Sequence, residues 1–353
     1  MEKRLTYHEE KERENVLKLR EVVATLPPFA RDFFRGTSVT TSAHTRLKYA
    51  YDIRIFFQFL VSENPVYRDK KITDLKVEDL DKVTALDLEE YIEYLKAYQP
   101  EDGSEYITNG EKGIKRKLSA LRTFYAYYFK HEMIINNPTV LIDMPKLHQK
   151  EIIRLDADEV AALLDFIESC GDQLSPHQRS YYEKTKIRDL AIITLLLGTG
   201  IRVSECVGLD VEDVDFRNYG IRVVRKGGNE MIIYFGDEVA EALQNYLEAR
   251  ASITPQAGHE HALFFSSQRK RINVKTVENL VKKYSSQVTT TKKITPHKLR
   301  STYGTALYQE TGDIYLVADV LGHKDVNTTK RHYAAMDEMR RRKAATAVHL
   351  RED

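Results

Sequence analysis

Six side chains in the C-terminal half of this chain could together act on one phosphodiester: Arg202, Lys226, His297, Arg300, His323 and Tyr333. An arginine presents a planar fork of N–H donors that matches two phosphate oxygens. Lysine and histidine can hydrogen-bond a phosphate or move a proton to or from it. A tyrosine hydroxyl can attack phosphorus and stay covalently attached. Such a set would break and rejoin a nucleic-acid strand through a phosphotyrosyl enzyme. No carboxylate cluster or cysteine pair competes with it for a metal-based chemistry, so neither metal nor cofactor is expected.

Taken singly, each position also has a plainer role. Arg202, in GTGIRVSECVGLD, lies at a helix junction, where it could hold a phosphate or form a surface salt bridge with Glu205. Lys226 lies at the turn of IRVVRKGGNEMIIYF and could protonate a leaving 5′-oxygen. Its ordinary pKa of about 10.4 would have to be matched to that task by nearby arginines. The alternative is a turn lysine that serves solubility, and Arg225 is a weaker competitor for the same proton-donor role. In TPHKLRSTYGTAL, Pro296 opens a helix, and His297 and Arg300 share one face of its first turn. A helix start also favours a phosphate. His297 could take the tyrosine proton, or simply cap the helix. In VADVLGHKDVNTTKRHYAAM, Gly322 ends a helix and His323 follows. A lone tyrosine among 21 is ordinarily packing; Tyr333 stands out by its place after LGH and before a basic C-terminal helix.

These residues need elements to position them. In SAHTRLKYAYDIRIFFQFLVSE, Leu47, Ala50, Tyr51, Ile55, Phe56, Phe59 and Leu60 predict one helical stripe. Further helices fit 85–98 and 112–131, the second with Lys112, Lys115, Arg116, Lys117 and Arg122 opposite its apolar stripe. Residues 138–152 hold two prolines and lack periodicity, which predicts a linker. After it, Asp156 and Glu159 read as a capping box opening a helix over 156–169, and 187–197 is a strongly apolar helix closing at Gly198-Thr199-Gly200. The period then shifts to two, predicting strands at 211–216, 220–224 and 231–235 with a hairpin turn at Gly227-Gly228-Asn229. Helices resume over 237–251, 273–287, 296–310, 314–321 and 337–349, and Phe264-Phe265 reads as a short buried segment.

Bulk properties bound the answer. At 353 residues, two domains are the default. With 42% hydrophobic and 30% charged residues the composition is that of an ordinary globular protein. No apolar run approaches the roughly 18 residues that cross a bilayer. The start MEKRLTYHEEKEREN is too charged for a signal peptide. Cys170 and Cys206 sit in apolar helical patterns and read as buried thiols in a reducing compartment, so a cytoplasmic location is expected. The net charge of +1 does not advertise a nucleic acid. Its distribution says more: acidic runs at 9–14, 78–81 and 87–93 oppose basic runs at 112–122, 269–275, 282–283 and 340–343. Such a chain could carry a basic face, or simply solvated helix faces. The candidate DNA-binding residues are Lys112, Lys115, Arg116 and Arg122, with Arg269, Lys270 and Lys275 further on.

The order Arg, Lys, His-x-x-Arg, Gly-His, Tyr resembles the tyrosine recombinases, also called the phage integrase family. The stretches KIRDLAIITLLLGTGIRVSE, RKGG and ITPHKLR look most like bacterial Xer recombinases. The resemblance implies a mainly α fold with a small antiparallel β-sheet. It implies an N-terminal helical extension (1–35), a helical, SAM-like core-binding domain (36–137), and a mixed α/β catalytic domain (153–353) with a C-terminal docking helix at 337–350. It implies that Arg202 and Arg300 clamp the scissile phosphate of duplex DNA held between the domains, and that His297 and His323 hydrogen-bond it. His297 would be the general base, Lys226 the general acid and Tyr333 the nucleophile, while Glu205 would be structural. No cofactor is implied, because the phosphotyrosyl link keeps the bond energy. The implied partners are a double-stranded DNA site and further copies of the chain, two on one site and four in the synapse, with an accessory cell-division protein. Chromosome-dimer resolution through a Holliday junction is the expected role. Integration and excision of a mobile element is the alternative, and a catalytically inactive DNA-binding protein a more distant one. A type IB topoisomerase shares the chemistry, but the basic C-terminal helix suits docking on a neighbour. Two positions depart from the common pattern: Ser301 stands where the family usually has histidine, and Tyr333 is tenth after His323 where ninth is common, as in some mobile-element integrases.

Overall fold

The structure is a computed structural model, and the residues it describes are 5–68, 70–100, 103–148, 152–225 and 228–322. Lys226, His323, Tyr333 and the expected helix at 337–350 lie outside the described residues. The chain divides into two compact units, Met1–Gln149 and Lys150–Asp353.

The first unit is helical: α1 (Tyr7–Ala24), α2 (Ala30–Gly36), α3 (Ala43–Glu63), α4 (Ala85–Lys96) and α5 (Glu111–Lys130). Side-chain oxygens start three of them. Thr6, Ser42 and Thr84 each accept a hydrogen bond from the backbone N–H three residues on. Aromatic rings fill the core, with Phe33, Phe56, Phe57, Phe124, Tyr125 and Tyr128 all fully buried. Phe124 meets Phe33, Phe57 and Tyr128 edge-on, the geometry that ring quadrupoles prefer. Burying each such ring contributes roughly 1.5–3 kcal/mol. The stripe of α3 is shifted from the expected one. Ile53 and Phe57 are in the core, whereas Tyr51 is 40% exposed.

Two boundaries also change. The expected extension over 1–35, from α1 onward, is part of the first unit, because α1 packs on α3 and Leu19, Val22, Leu26, Phe33 and Phe34 belong to the same core. The expected linker begins later than 138. Pro138–Val140 forms a 3-10 turn packed on α5, and Ile142 is buried in that core. A two-residue ribbon that the sequence pattern did not announce, β1 (Ala97–Tyr98) with β2 (Ile107–Thr108), joins α4 to α5.

In the second unit α6 (Ala157–Ser169) opens on Asp156, with Glu159 accepting from the Asp156 backbone N–H at 2.8 Å. The central helix α7 (Pro176–Thr199) packs against α6, α9 and α11. It starts about three turns earlier than expected, at Pro176 rather than 187. Residues 176–186 are mostly exposed and polar, so apolar periodicity could not reveal them. Ser175 caps it in a reciprocal box with Gln178. Its end is set by Gly200, whose φ of 62° is left-handed and whose N–H reaches the Leu196 carbonyl at 3.1 Å. A short helix α8 (Val203–Gly208) follows. The sheet is antiparallel in the order β3 (Val214–Asp215), β4 (Gly220–Val224), β5 (Glu230–Tyr234). The strand expected over 211–216 survives only as β3, since Val211–Asp213 coils into a 3-10 turn. Then come α9 (Asp237–Ala251), α10 (Val274–Val288), α11 (Pro296–Thr311) and α12 (Ile314–Leu321). Phe264 and Phe265 are buried, as are the unpaired thiols of Cys170 and Cys206. Burial pushes the Cys206 thiol up to about 12. No helix among the described residues is long and apolar enough to cross a membrane.

Candidate active site

Arg202 is placed by the turn that Gly200 makes at the end of α7. Buried Ile201 anchors the next residue, and Arg202 immediately precedes α8. Glu205 grips it twice. The Arg202 backbone N–H donates to Glu205 Oε2 at 2.7 Å, and Nη1 donates to Oε1 at 2.8 Å. The Glu205 side chain is 4% exposed while that of Arg202 is 37% exposed. A buried carboxylate therefore fixes a guanidinium that still faces solvent. Its Nη2 donates to the carbonyls of Gly322, at 3.2 Å, and Leu321, at 3.5 Å.

Arg300 comes from the first turns of α11 and is buried. Its Nη1 donates to the Gly200 carbonyl at 2.5 Å, and its Nη2 also bonds the Leu321 carbonyl. Two guanidinium groups from positions far apart in the chain thus meet at one oxygen. That oxygen belongs to the C-terminal end of α12, where carbonyls lack helical partners and the helix dipole favours cations. His297 occupies the second position of α11, exposed, one turn before Arg300. Ser301, the departure from the common pattern, donates its hydroxyl to the His297 carbonyl at 3.1 Å.

Arg225, the weaker candidate for proton donor, bonds the same helix end. Its Nη1 and Nη2 donate to the carbonyls of Asp319 and Val320 at 3.1 and 2.6 Å. Burial draws its pKa down from the usual arginine value; Glu205 opposes this and Arg202 adds to it. Three arginines therefore converge on the last carbonyls of α12, immediately before His323. Among the described residues, no group of three histidine, cysteine, aspartate or glutamate side chains could hold a metal ion.

The expected DNA-binding residues divide. Lys112 is exposed near the start of α5, and Lys115 is half-buried. Arg116 is half-exposed, and its Nη1 pairs with Asp52, whose side chain is 2% exposed. Arg122 donates to the carbonyls of Thr139 and Ile142 at 3.0 and 2.6 Å. Lys117 is buried, with Nζ on Asn109 Oδ1 at 2.7 Å. Three of the five basic residues read from α5, Arg116, Lys117 and Arg122, thus bond within their own unit. In the second unit Arg269 and Lys270 sit exposed at the tip of a tight turn, closed by the Ser266 N–H on the Lys270 carbonyl at 2.7 Å. Lys275 is exposed, 3.6 Å from Glu278.

A stability prediction follows for Arg116. Burial holds the Asp52 carboxyl above its usual range, and Arg116 and Lys117 pull it back down. Arg116→Ala should cost about 1–3 kcal/mol at neutral pH, less than for a fully buried pair because Arg116 is half-exposed. A folded-state pKa raised further means stability that is lost as pH rises through it. The deficit should therefore shrink below the unfolded aspartate value of about 4, where Asp52 is protonated in both states. Urea unfolding at two pH values measures it; a pH-independent deficit would contradict the pairing. Lys112→Glu with Lys115→Glu should leave the fold intact and serve as the clean probe of DNA contact.

Residues 153–340 match the phage integrase family. The chain is 33% identical to the tyrosine recombinase XerC of Caldanaerobacter subterraneus subsp. tengcongensis, over 93% of this chain and 88% of that protein. It is 31% identical to the tyrosine recombinase XerS of Lactococcus lactis subsp. cremoris, over 92% of this chain and 96% of that one. Among solved structures, the XerH site-specific recombinase bound to a palindromic difH substrate has the same fold, with a TM-score of 0.63 at 19% identity over 86% of this chain and 80% of that one. Family match and near-full-length similarity agree with the paired arginines: the chain belongs to the phage integrase family and is a tyrosine recombinase.

Proposed function

We propose that the chain recombines specific duplex DNA sites, exchanging strands through a 3′-phosphotyrosyl intermediate and a Holliday junction, and that its role is Xer-like resolution of chromosome dimers. The observation that carries the chemical part is the meeting of Arg202 and Arg300 on the Leu321 carbonyl. Guanidinium groups close enough to share one oxygen are close enough to share one phosphate.

In this proposal Arg202 and Arg300 bind the non-bridging oxygens and stabilise charge as phosphorus becomes pentavalent. Glu205 keeps Arg202 in place. Arg202 engages only Nη1 and Nη2 in these bonds, and a guanidinium has five N–H groups, so it retains donors for a phosphate. His297 takes the proton of the Tyr333 hydroxyl as it attacks. His323 hydrogen-bonds the phosphate. The phosphorus–oxygen bond to the 5′ side breaks, Lys226 protonates the departing oxygen, and the 3′-phosphate stays on Tyr333. Rejoining is the same path reversed with a 5′-hydroxyl from the partner strand. Lys112, Lys115, Arg269, Lys270 and Lys275 meet the DNA backbone and position the duplex without reading it. Two copies occupy one site and four make the synapse, in the cytoplasm.

The longer spacing to Tyr333 keeps integration and excision of a mobile element as the second reading. Sequencing DNA covalently attached to the protein in cells tests both. One inverted-repeat locus in the chromosome terminus is the expected result. Attachment at the ends of an element would replace the first role by the second, and attachment scattered over the genome would contradict site specificity.

A further inference from the structure

Arg225 has no part in the chemistry proposed above, yet both its backbone and its side chain are tied down. Its backbone closes the turn. The Arg225 N–H donates to the Asn229 carbonyl at 2.8 Å, and its carbonyl accepts from Gly228 at 3.0 Å. Its side chain spans to the other end of the unit's sequence and grips the carbonyls of Asp319 and Val320. The guanidinium lies over Gly322, whose φ of 60° calls for glycine; an added Cβ would also push the guanidinium aside. Arg225 Nε is buried without a hydrogen-bond partner among the described residues. Leaving a buried donor unmet costs about 1–3 kcal/mol, which the two bonds from Nη1 and Nη2 must offset.

The carbonyls it grips complete a row. Arg225 holds 319 and 320, while Arg202 and Arg300 hold 321, and Arg202 reaches 322. The same helix end therefore ties the phosphate clamp to the residue that immediately precedes Lys226. We propose that Arg225 is a positioning residue. By strapping the hairpin tip to the carbonyl end of α12, it sets where the Lys226 ammonium stands relative to the phosphate held by Arg202 and Arg300. The proposal rests on Lys226 being the general acid. The strap acts through Lys226, not on the DNA. Its loss should matter only when the leaving oxygen needs a proton.

Single-turnover cleavage of a nicked duplex carrying the site tests this, with the 5′-bridging atom either oxygen or sulfur. A thiolate leaves without protonation. Arg225→Ala should slow the oxygen substrate on the order of 10–100-fold, the scale of a small misplacement. It should cut the sulfur substrate at close to the parental rate, which also shows that the variant is folded. Arg225→Ala with Lys226→Ala should be no slower on oxygen than Lys226→Ala alone, because a misplaced acid is irrelevant once the acid is gone. A purely structural role would slow both substrates and add to the loss from Lys226→Ala; either result overturns the proposal. If Lys226→Ala is rescued by sulfur and Arg225→Ala is not, only the strap fails. If Lys226→Ala itself is not rescued, the general-acid assignment fails and the strap with it.

Discussion

Tyr333→Phe is expected to bind its DNA site as the parent does and to form no SDS-resistant adduct. The substitution removes one oxygen, the proposed nucleophile, and nothing else. Binding rests on counterion release from phosphates covered by lysines and arginines, to which a phenol contributes little. The chemistry has no substitute, because Tyr333 is the one tyrosine that follows His323. His332, which occupies the ninth position after His323, is the control. His332→Ala should still form the adduct. Denaturing gels with a labelled nicked duplex measure both variants. An adduct from Tyr333→Phe would show that the nucleophile is elsewhere.

Lys226→Ala should reduce cleavage by about 10²–10⁴-fold, the usual contribution of general acid catalysis. A 5′-alkoxide is a poor leaving group without a proton. Arg225, the neighbouring candidate, donates with both terminal nitrogens to helix carbonyls, so Arg225→Ala is the parallel control. The rate on a 5′-bridging sulfur substrate should return most of the way to the parent's. A Lys226→Ala variant that cuts sulfur no faster than oxygen would dismiss lysine as the acid.

Much of this fold was legible because local signals and packing agree. The helices at 237–251 and 314–321 and the strand at 220–224 have the bounds that periodicity and caps predict. The Asp156–Glu159 box is where its spacing places it. The first half of α7 was invisible, as its face is polar and its stability comes from the cap and from continuity with a buried half. The N-terminal helices looked like an extension because charge outnumbers the few apolar residues, Leu19 and Val22 among them, that actually reach the core. Arg116 and Arg122 mark a deeper limit. A basic helix face is read by residue type, whereas the partners that absorb it, Asp52 and the Thr139 and Ile142 carbonyls, lie 17 to 64 residues away. At the site, motif order singled out Arg202, His297 and Arg300 as candidates, and the structure brings the two arginines onto one carbonyl. Arg225 escaped notice in its structural capacity because nothing local announces a bond to residue 319.

The account stands or falls on the covalent link. A duplex nicked just downstream of the cleavage point, incubated with the protein in excess EDTA, loses its short 5′-hydroxyl fragment and traps whatever intermediate forms. Peptide mapping of the trapped species should find the 3′-phosphate esterified to Tyr333, with a free 5′-hydroxyl on the released piece. Attachment through a 5′-phosphate, attachment to another residue, or cleavage that needs a divalent metal and leaves no protein on the DNA would each contradict the mechanism.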